Sequence, residues 1–156
     1  MNQVAFHFNV PEPLPYACHL LRQNLADGVC TAVIAQAQTL QQLDEALWGF
    51  SSTDFLAHCL ADAKPSFVAM SPIVLVAANM PWPAHCLAAL NLGDAPVAPA
   101  GQLDHLIEVV SLDETDRQLA RQRWKHYSAL GLHITKHDCQ AQSQSESTFR
   151  HAPSNA

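Results

Sequence analysis

Apolar and polar residues follow two different rhythms in the first half of the chain. Residues 2–9 alternate apolar and polar side chains, which predicts a strand. Residues 14–27 place apolar side chains at steps of three and four, which predicts a helix that ends at Gly28. Helical spacing returns at 39–48, before Gly49. Segments 29–35 and 72–78 are apolar throughout, as is typical of strands covered on both faces.

The second half continues the alternation of strands and helices. Residues 87–92 and 106–112 are predicted strands, and Asp113 is a predicted cap for a long helix over 114–130. Gly131 ends this helix, and 132–135 is a last short strand. Ser51 and Asp54 resemble a capping box that opens a further short helix. Segments 61–71 and 93–101 are predicted loops.

This order predicts a three-layer α/β domain, with a mainly parallel sheet flanked by helices. The predicted domain covers residues 1–137. Residues 138–156 are polar, contain many Gln and Ser residues and lack periodicity, so we expect a disordered tail. The five glycines stand singly, without GxGxxG or GxxxxGK[ST], and we therefore expect no phosphate-binding loop and no nucleotide cofactor.

Composition narrows the class of protein. A chain of 156 residues suits one domain. No apolar run approaches the ~20 residues that a membrane span needs, and the N-terminus lacks the pattern of a signal peptide. We therefore expect a soluble, cytoplasmic protein. The net charge is −6, yet five of the eight Lys and Arg residues fall between Arg117 and Lys136, a window without acids. Such a local basic segment favours a small acidic partner over a nucleic-acid duplex.

Cysteine and histidine patterns give little support for catalysis or metal binding. The five cysteines are widely spaced without CxxC, and we expect reduced thiols. His133, His137 and Cys139 form HxxxHxC, but zinc needs a fourth ligand, for which His126 or Cys86 would have to serve. Cys59 follows His58, although catalytic pairs rarely arise from sequence neighbours. We expect no metal site and no catalytic residue.

The segment 109–134 contains the most informative pattern. Its predicted helix has an apolar face, and beside that face Arg117, Arg121 and Lys125 recur at steps of four. Trp124 lies three residues after Arg121. Although a solvated charged face explains such a stripe, an arginine beside an aromatic wall is also suited to a carboxylate carried on an apolar side chain.

A second segment, 41–60, contains two bulky aromatic residues near a helix break. Trp48 and Phe55 lie on either side of Gly49. They are either core residues or anchors of a protein interface, where Trp and Phe are enriched.

These segments resemble the chi subunit of bacterial DNA polymerase III. The resemblance rests on LDEALW (43–48), Phe55 and His58 within DFLAHCL, and QLARQRWKHYSALG (118–131). It covers roughly residues 1–136, with only a general pattern over 61–104.

The resemblance implies a Rossmann-like, non-catalytic adaptor of the clamp loader. Chi-like proteins bind the acidic, Phe-ended C-terminal tail of single-stranded DNA-binding protein and pair with a psi subunit. By position, Arg121 would hold the terminal carboxylate, Val110 and Trp124 would line the Phe pocket, and Arg117 and Lys125 would meet the acidic residues. Trp48 and Phe55 match the psi-facing aromatics. The family's Tyr is Trp124 here, and a basic family position is Ser128, so affinity for the tail is expected to be lower.

Two alternatives stay open at this point. A degenerate nucleotide-binding α/β enzyme would show itself by a bound nucleotide, but the sequence lacks the glycine-rich loop. A direct single-stranded DNA binder would need aromatic and basic residues interleaved along a groove, and only Trp124 and Tyr127 qualify.

Overall fold

The computed structural model describes residues 3–49, 58–78, 80–97 and 100–139. Seven strands in these ranges form one sheet, and all neighbouring strands are parallel. The strands are β1 (Gln3–Val10), β2 (Thr31–Ala35), β3 (Cys59–Leu60), β4 (Ile73–Ala77), β5 (Ala88–Asn91), β6 (His105–Ser111) and β7 (His133–Asp138). The helices are α1 (Pro13–Ala26), α2 (Ala37–Gly49), α3 (Pro65–Met70) and α4 (Glu114–Ala129). The predicted α/β class with a parallel sheet is confirmed.

The strand order β3-β4-β2-β5-β6-β1-β7 explains the three layers. Helices α1 and α2 belong to connections that run across the sheet towards the β3 edge. Helices α3 and α4 belong to connections that run in the opposite direction. Because parallel crossovers are almost always right-handed, the two pairs of helices must cover opposite faces. Accordingly, Leu21 of α1 and Leu43 of α2 join one buried cluster, and Val68 of α3 and Tyr127 of α4 pack into the other.

Burial along each strand follows its place in the sheet. All five residues of the central strand β2 are buried, and β4 is buried except at its last residue. The edge strand β7 is largely accessible, in keeping with its polar sequence. Among the described residues, no helix combines the length and the apolar character needed to span a bilayer.

The ends of α4 are defined as the sequence predicted. The Asp113 carboxylate accepts a hydrogen bond from the backbone N–H of Asp116 at 3.1 Å, which satisfies a free donor of the first turn. Gly131 follows the helix with φ +77°, a left-handed conformation that glycine adopts without steric cost. The long helix over the carboxyl half of β6 therefore has a fixed start and a fixed end.

Several local predictions differ from the structure or lie outside it. The predicted loop at 61–71 is wrong in part, because it contains the six-residue helix α3, which is too short for a visible period. Strand β3 has two residues and shows no alternation. Strand β7 continues to Asp138, beyond the predicted end at 135. The predicted helix at 51–54, Phe55 and most of the predicted tail lie outside the described residues.

Candidate functional site

A cavity of about 430 Å³ lies between α4 and the carboxyl halves of β1, β6 and β7. Apolar side chains form most of its wall, and four cations surround it. Its lining residues are Phe6, Phe8, Val110, Arg117, Ala120, Arg121, Trp124, Lys125 and Lys136. The structure thus brings together all five residues that the family resemblance assigns to tail binding. It adds Lys136 and two phenylalanines that the sequence did not single out.

Helical spacing explains how α4 presents these side chains. Residues four apart lie on one side of a helix, so Arg117, Arg121 and Lys125 form one row. Ala120 and Trp124 form a neighbouring row that faces the sheet. Ala120 is buried and small, which allows a close approach of the helix to β6, while the larger Trp124 stays half-buried. The cavity is the space between these rows and the strands.

Aromatic packing fixes the apolar wall. The ring centroids of Trp124 and Phe6 are 5.0 Å apart with an interplanar angle of 43°, within the range favoured by aromatic pairs. Phe6 is only 3% exposed and so provides a rigid support. The Lys136 ammonium lies 5.3 Å from the Trp124 ring centroid, a cation–π arrangement. The tryptophan is therefore held in place before any ligand binds.

The cations around the cavity have few internal partners. Arg121 Nη1 lies 3.6 Å from Glu114 Oε1, and both side chains are 62% exposed. Such an exposed pair contributes at most ~1 kcal/mol, so Arg121 can exchange it for a ligand carboxylate at little cost. Within the ranges that the structure describes, Arg117, Lys125 and Lys136 form no ion pair. The site is thus a cationic rim around an apolar recess.

A buried polar network holds α4 against β6, and sequence reasoning missed it. Arg123 Nε donates to Glu108 Oε1 at 2.9 Å, and the Tyr127 hydroxyl donates to Glu108 Oε2 at 2.5 Å. The Asn91 amide donates to both carboxylate oxygens. Burial raises the pKa of Glu108, while the charge of Arg123 acts in the opposite direction. A glutamate in the middle of an apolar strand was the available signal.

Trp48, predicted to belong to a second interface, lies far along the sheet from the cavity. Trp48, on α2, is 59% exposed, and its ring lies 5.0 Å from that of His58. Further exposed apolar residues occur on elements near the same β3 edge: Leu60, Phe67, Met70 and Met80. Its predicted companion Phe55 falls outside the described residues. Trp48 and the α4 cavity are therefore separate surfaces.

Comparison with known protein families decides the classification. The family model of the DNA polymerase III chi subunit, HolC, matches residues 1–135. The chain belongs to the chi subunit family. This family membership makes it a replication accessory subunit and confirms the resemblance found in the sequence. No curated protein matches the chain significantly.

The chemistry considered from this chi-family sequence does not come together in space. His133 and His137 are four residues apart on β7, which separates them by about 13 Å. Cys139 instead donates to the Tyr16 hydroxyl at 3.3 Å. The imidazole of His58 contacts Asp44 Oδ1, on α2, at 2.7 Å. The neighbouring Cys59 packs against the apolar cluster on the other face of the sheet.

Proposed function

We propose that this chi-family subunit is a non-catalytic adaptor of the DNA polymerase III clamp loader. Its α4 cavity captures the acidic, Phe-ended C-terminal tail of single-stranded DNA-binding protein. The observation that carries the proposal is the convergence of Val110, Arg117, Arg121, Trp124 and Lys125 around one cavity. These residues come from two elements, and only the fold makes them neighbours.

The chemistry of the cavity suits a carboxylate attached to an aromatic side chain. Its volume of about 430 Å³ lies within the usual range for small-ligand sites. Val110 and Trp124 offer an apolar surface for the ring. Arg121, at the rim, can form charge-assisted hydrogen bonds with the terminal carboxylate. Such recognition requires both a free carboxylate and a large apolar last residue.

The remaining cations suit the acidic residues that precede the end of the tail. Arg117 and Lys125 extend the row of Arg121 along α4. Lys136 adds a cation from β7, whereas Ser128, at a basic position of the family, is exposed and does not line the cavity. Opposite charges at the edge of an interface mainly accelerate association and improve specificity.

A peptide titration tests this function. A labelled acidic peptide ending in Phe, followed by fluorescence anisotropy, should bind the full chain. Arg121→Ala should weaken binding by about 1.5–3 kcal/mol, because a charge-assisted pair is lost. Lys64→Ala removes an exposed cation near the β3 edge and should leave the affinity unchanged.

Amidation of the peptide's C-terminus provides the chemical control. It should weaken binding to the wild-type protein and hardly affect Arg121→Ala, since the two changes remove the same interaction. Equal affinity of the wild type and Arg121→Ala for the free acid would reject the assignment.

An oligonucleotide titration separates this function from direct binding of single-stranded DNA. Four rim cations on a chain of net charge −6 are a weak match for a long phosphate backbone. At ~150 mM salt we expect binding weaker than ~1 μM. Submicromolar binding to bare single strands would favour the DNA-binding alternative.

A second surface supports pairing with a psi-like subunit. Trp48 is exposed on α2, and the exposed apolar side chains Leu60, Phe67 and Met70 lie near the same edge of the sheet, on β3 and on α3, which covers the opposite face. A group of large exposed apolar residues is typical of a protein–protein interface. Because this edge is remote from α4, both partners can bind at once.

A further inference from the structure

Two cysteines that are far apart in the sequence approach one another in the fold. Cys30 immediately precedes β2 and Cys86 lies two residues before β5, so both are at the amino ends of neighbouring strands. Their Sγ atoms are 3.0 Å apart. Cys59, in β3, packs against the same apolar cluster but is not among the residues whose potential ligand atoms lie together. The wide spacing in the sequence concealed this pair of thiols.

A histidine joins the thiol pair. His85 Nε2 lies 3.9 Å from Cys86 Sγ, and the potential ligand atoms of Cys30, His85 and Cys86 all lie within 4.8 Å of one another. Zinc binds thiolates at about 2.3 Å and imidazole at about 2.0 Å in tetrahedral sites, so its ligand atoms lie roughly 3.5–3.8 Å apart. Shifts of less than about 1 Å would place these three atoms around one ion.

We propose that Cys30, His85 and Cys86 bind a zinc ion, with a solvent molecule as the fourth ligand. Zinc sites with three protein ligands, Cys₂His among them, keep such an open fourth position. The site would connect the amino ends of β2 and β5 with the irregular segment 80–87, which contains two prolines. The exposed His85 provides an entry path for the ion, whereas Cys86 is only 1% exposed.

A reversible disulfide is the competing role for the same pair. Cys86 is only 1% exposed, which limits the approach of a hydroperoxide. A disulfide would also involve the two Sγ atoms alone, whereas the His85 imidazole lies beside the same pair. A metal ion instead compensates the negative charge of the thiolates and releases their protons when it binds. The buried position and the nearby imidazole therefore favour metal binding.

Cobalt titration of the full chain, reduced and freed of metal, tests the site. Tetrahedral cobalt bound by thiolates gives strong visible bands and a near-ultraviolet sulfur-to-cobalt charge-transfer band. We expect one cobalt ion per chain with these bands, displaced by zinc. Zinc should also raise the melting temperature, since it binds the folded state. His85→Ala, at an exposed position, should lower zinc affinity by about tenfold or more while the chain stays folded.

The matched control is His133→Ala, which removes an exposed histidine from β7 and should leave the titration unchanged. Cys30→Ser should weaken the charge-transfer band, because one of the two thiolate ligands is lost, whereas Cys59→Ser should leave the band unchanged. An unchanged band in Cys30→Ser would overturn its assignment as a ligand.

Three results would overturn the site as a whole. They are equal zinc affinity of the wild type and His85→Ala, cobalt binding without a charge-transfer band, and a Cys30–Cys86 disulfide formed with hydrogen peroxide in a protein that binds no cobalt. The last result would assign the pair to redox chemistry.

Discussion

Arg123 and Glu108 form an ion pair inside the domain, with Nε and Oε1 2.9 Å apart and both residues essentially inaccessible to water. The pair joins α4 to β6. Arg123 Nη1 also donates to the backbone carbonyl of Asp94, at 3.1 Å, and Tyr127 accepts from the backbone N–H of Val97, at 2.8 Å. One network thus fixes the helix, the strand and the loop after β5, and thereby the helix face that forms the cavity.

Removal of one partner of this pair should destabilise the protein strongly. Arg123→Met leaves the Glu108 carboxylate buried without its cation. Such a loss lowers the free energy of unfolding by about 3–5 kcal/mol in other proteins with buried ion pairs. The measurement is the free energy of unfolding in urea. Arg121→Met, the same substitution two residues earlier, removes an exposed cation and should change stability by ~0.5 kcal/mol or less. Equal stability of the two variants would show that the pair contributes little.

A half-buried histidine should make stability depend on pH. Burial lowers the pKa of His7 from 6.5 to about 4, and the charge of His137 acts in the same direction. The ring of His7 is also hydrogen-bonded to the Tyr16 hydroxyl and lies 4.6 Å from the His137 ring. The folded state therefore favours the neutral imidazole.

The sign of the effect follows from proton uptake. As pH falls from 6.5 to 4, the unfolded chain protonates His7 and the folded chain does not, so the free energy of unfolding decreases. We expect a loss of about 1–2 kcal/mol, reduced for the partial exposure of the ring. Urea unfolding at several pH values should show a shallower decrease in His7→Gln than in the wild type. Parallel curves would contradict the assignment.

Local patterns predicted the elements whose sequences are either continuously apolar or clearly periodic. Strands β2 and β4 lie in the middle of the sheet with both faces covered, which explains their continuous apolar sequences. Helix α4 has a capping aspartate, two distinct faces and a terminal glycine. By contrast, α3 spans fewer than two turns, so no period could reveal it.

The cavity was predictable only on its helical side. Arg117, Arg121 and Lys125 share a row because of helical spacing alone. Phe6 and Lys136 reach the same cavity because β1 lies beside β6 and β7 lies beside β1, and local sequence does not encode that order. Arg123 was one of the five cations of the basic segment 117–136, but it is buried, because its partner Glu108 is on a strand and meets it only after folding.

Lys136 should contribute to peptide binding although no sequence pattern singled it out. Its ammonium lies 5.3 Å from the Trp124 ring centroid and belongs to the rim. Lys136→Ala should weaken binding of the acidic peptide by about 0.5–1 kcal/mol, and the loss should diminish at high salt because of screening. Lys136→Arg keeps the charge and serves as the control. A loss that is independent of salt would point to packing rather than charge.

Trp48 should serve partner binding and contribute little to folding. Truncation of a buried tryptophan costs about 3–5 kcal/mol. Trp48, in contrast, is 59% exposed, so Trp48→Ala should leave the melting temperature within a few degrees of the wild type. The variant should lose capture of a psi-like subunit in pull-downs and still bind the acidic peptide. We expect the same behaviour of Phe55→Ala.

Trp124→Ala is the matched control for Trp48→Ala, because it removes the same side chain from the other proposed surface. It should lose affinity for the peptide, through loss of the cavity wall that packs against Phe6, and still capture the psi-like subunit. Opposite responses of the two variants, with both proteins folded, would establish two independent interfaces. A folded Trp48→Ala that captures the partner normally would eliminate the β3-edge interface. An unfolded Trp48→Ala would show that Trp48 stabilises the fold through its contact with His58.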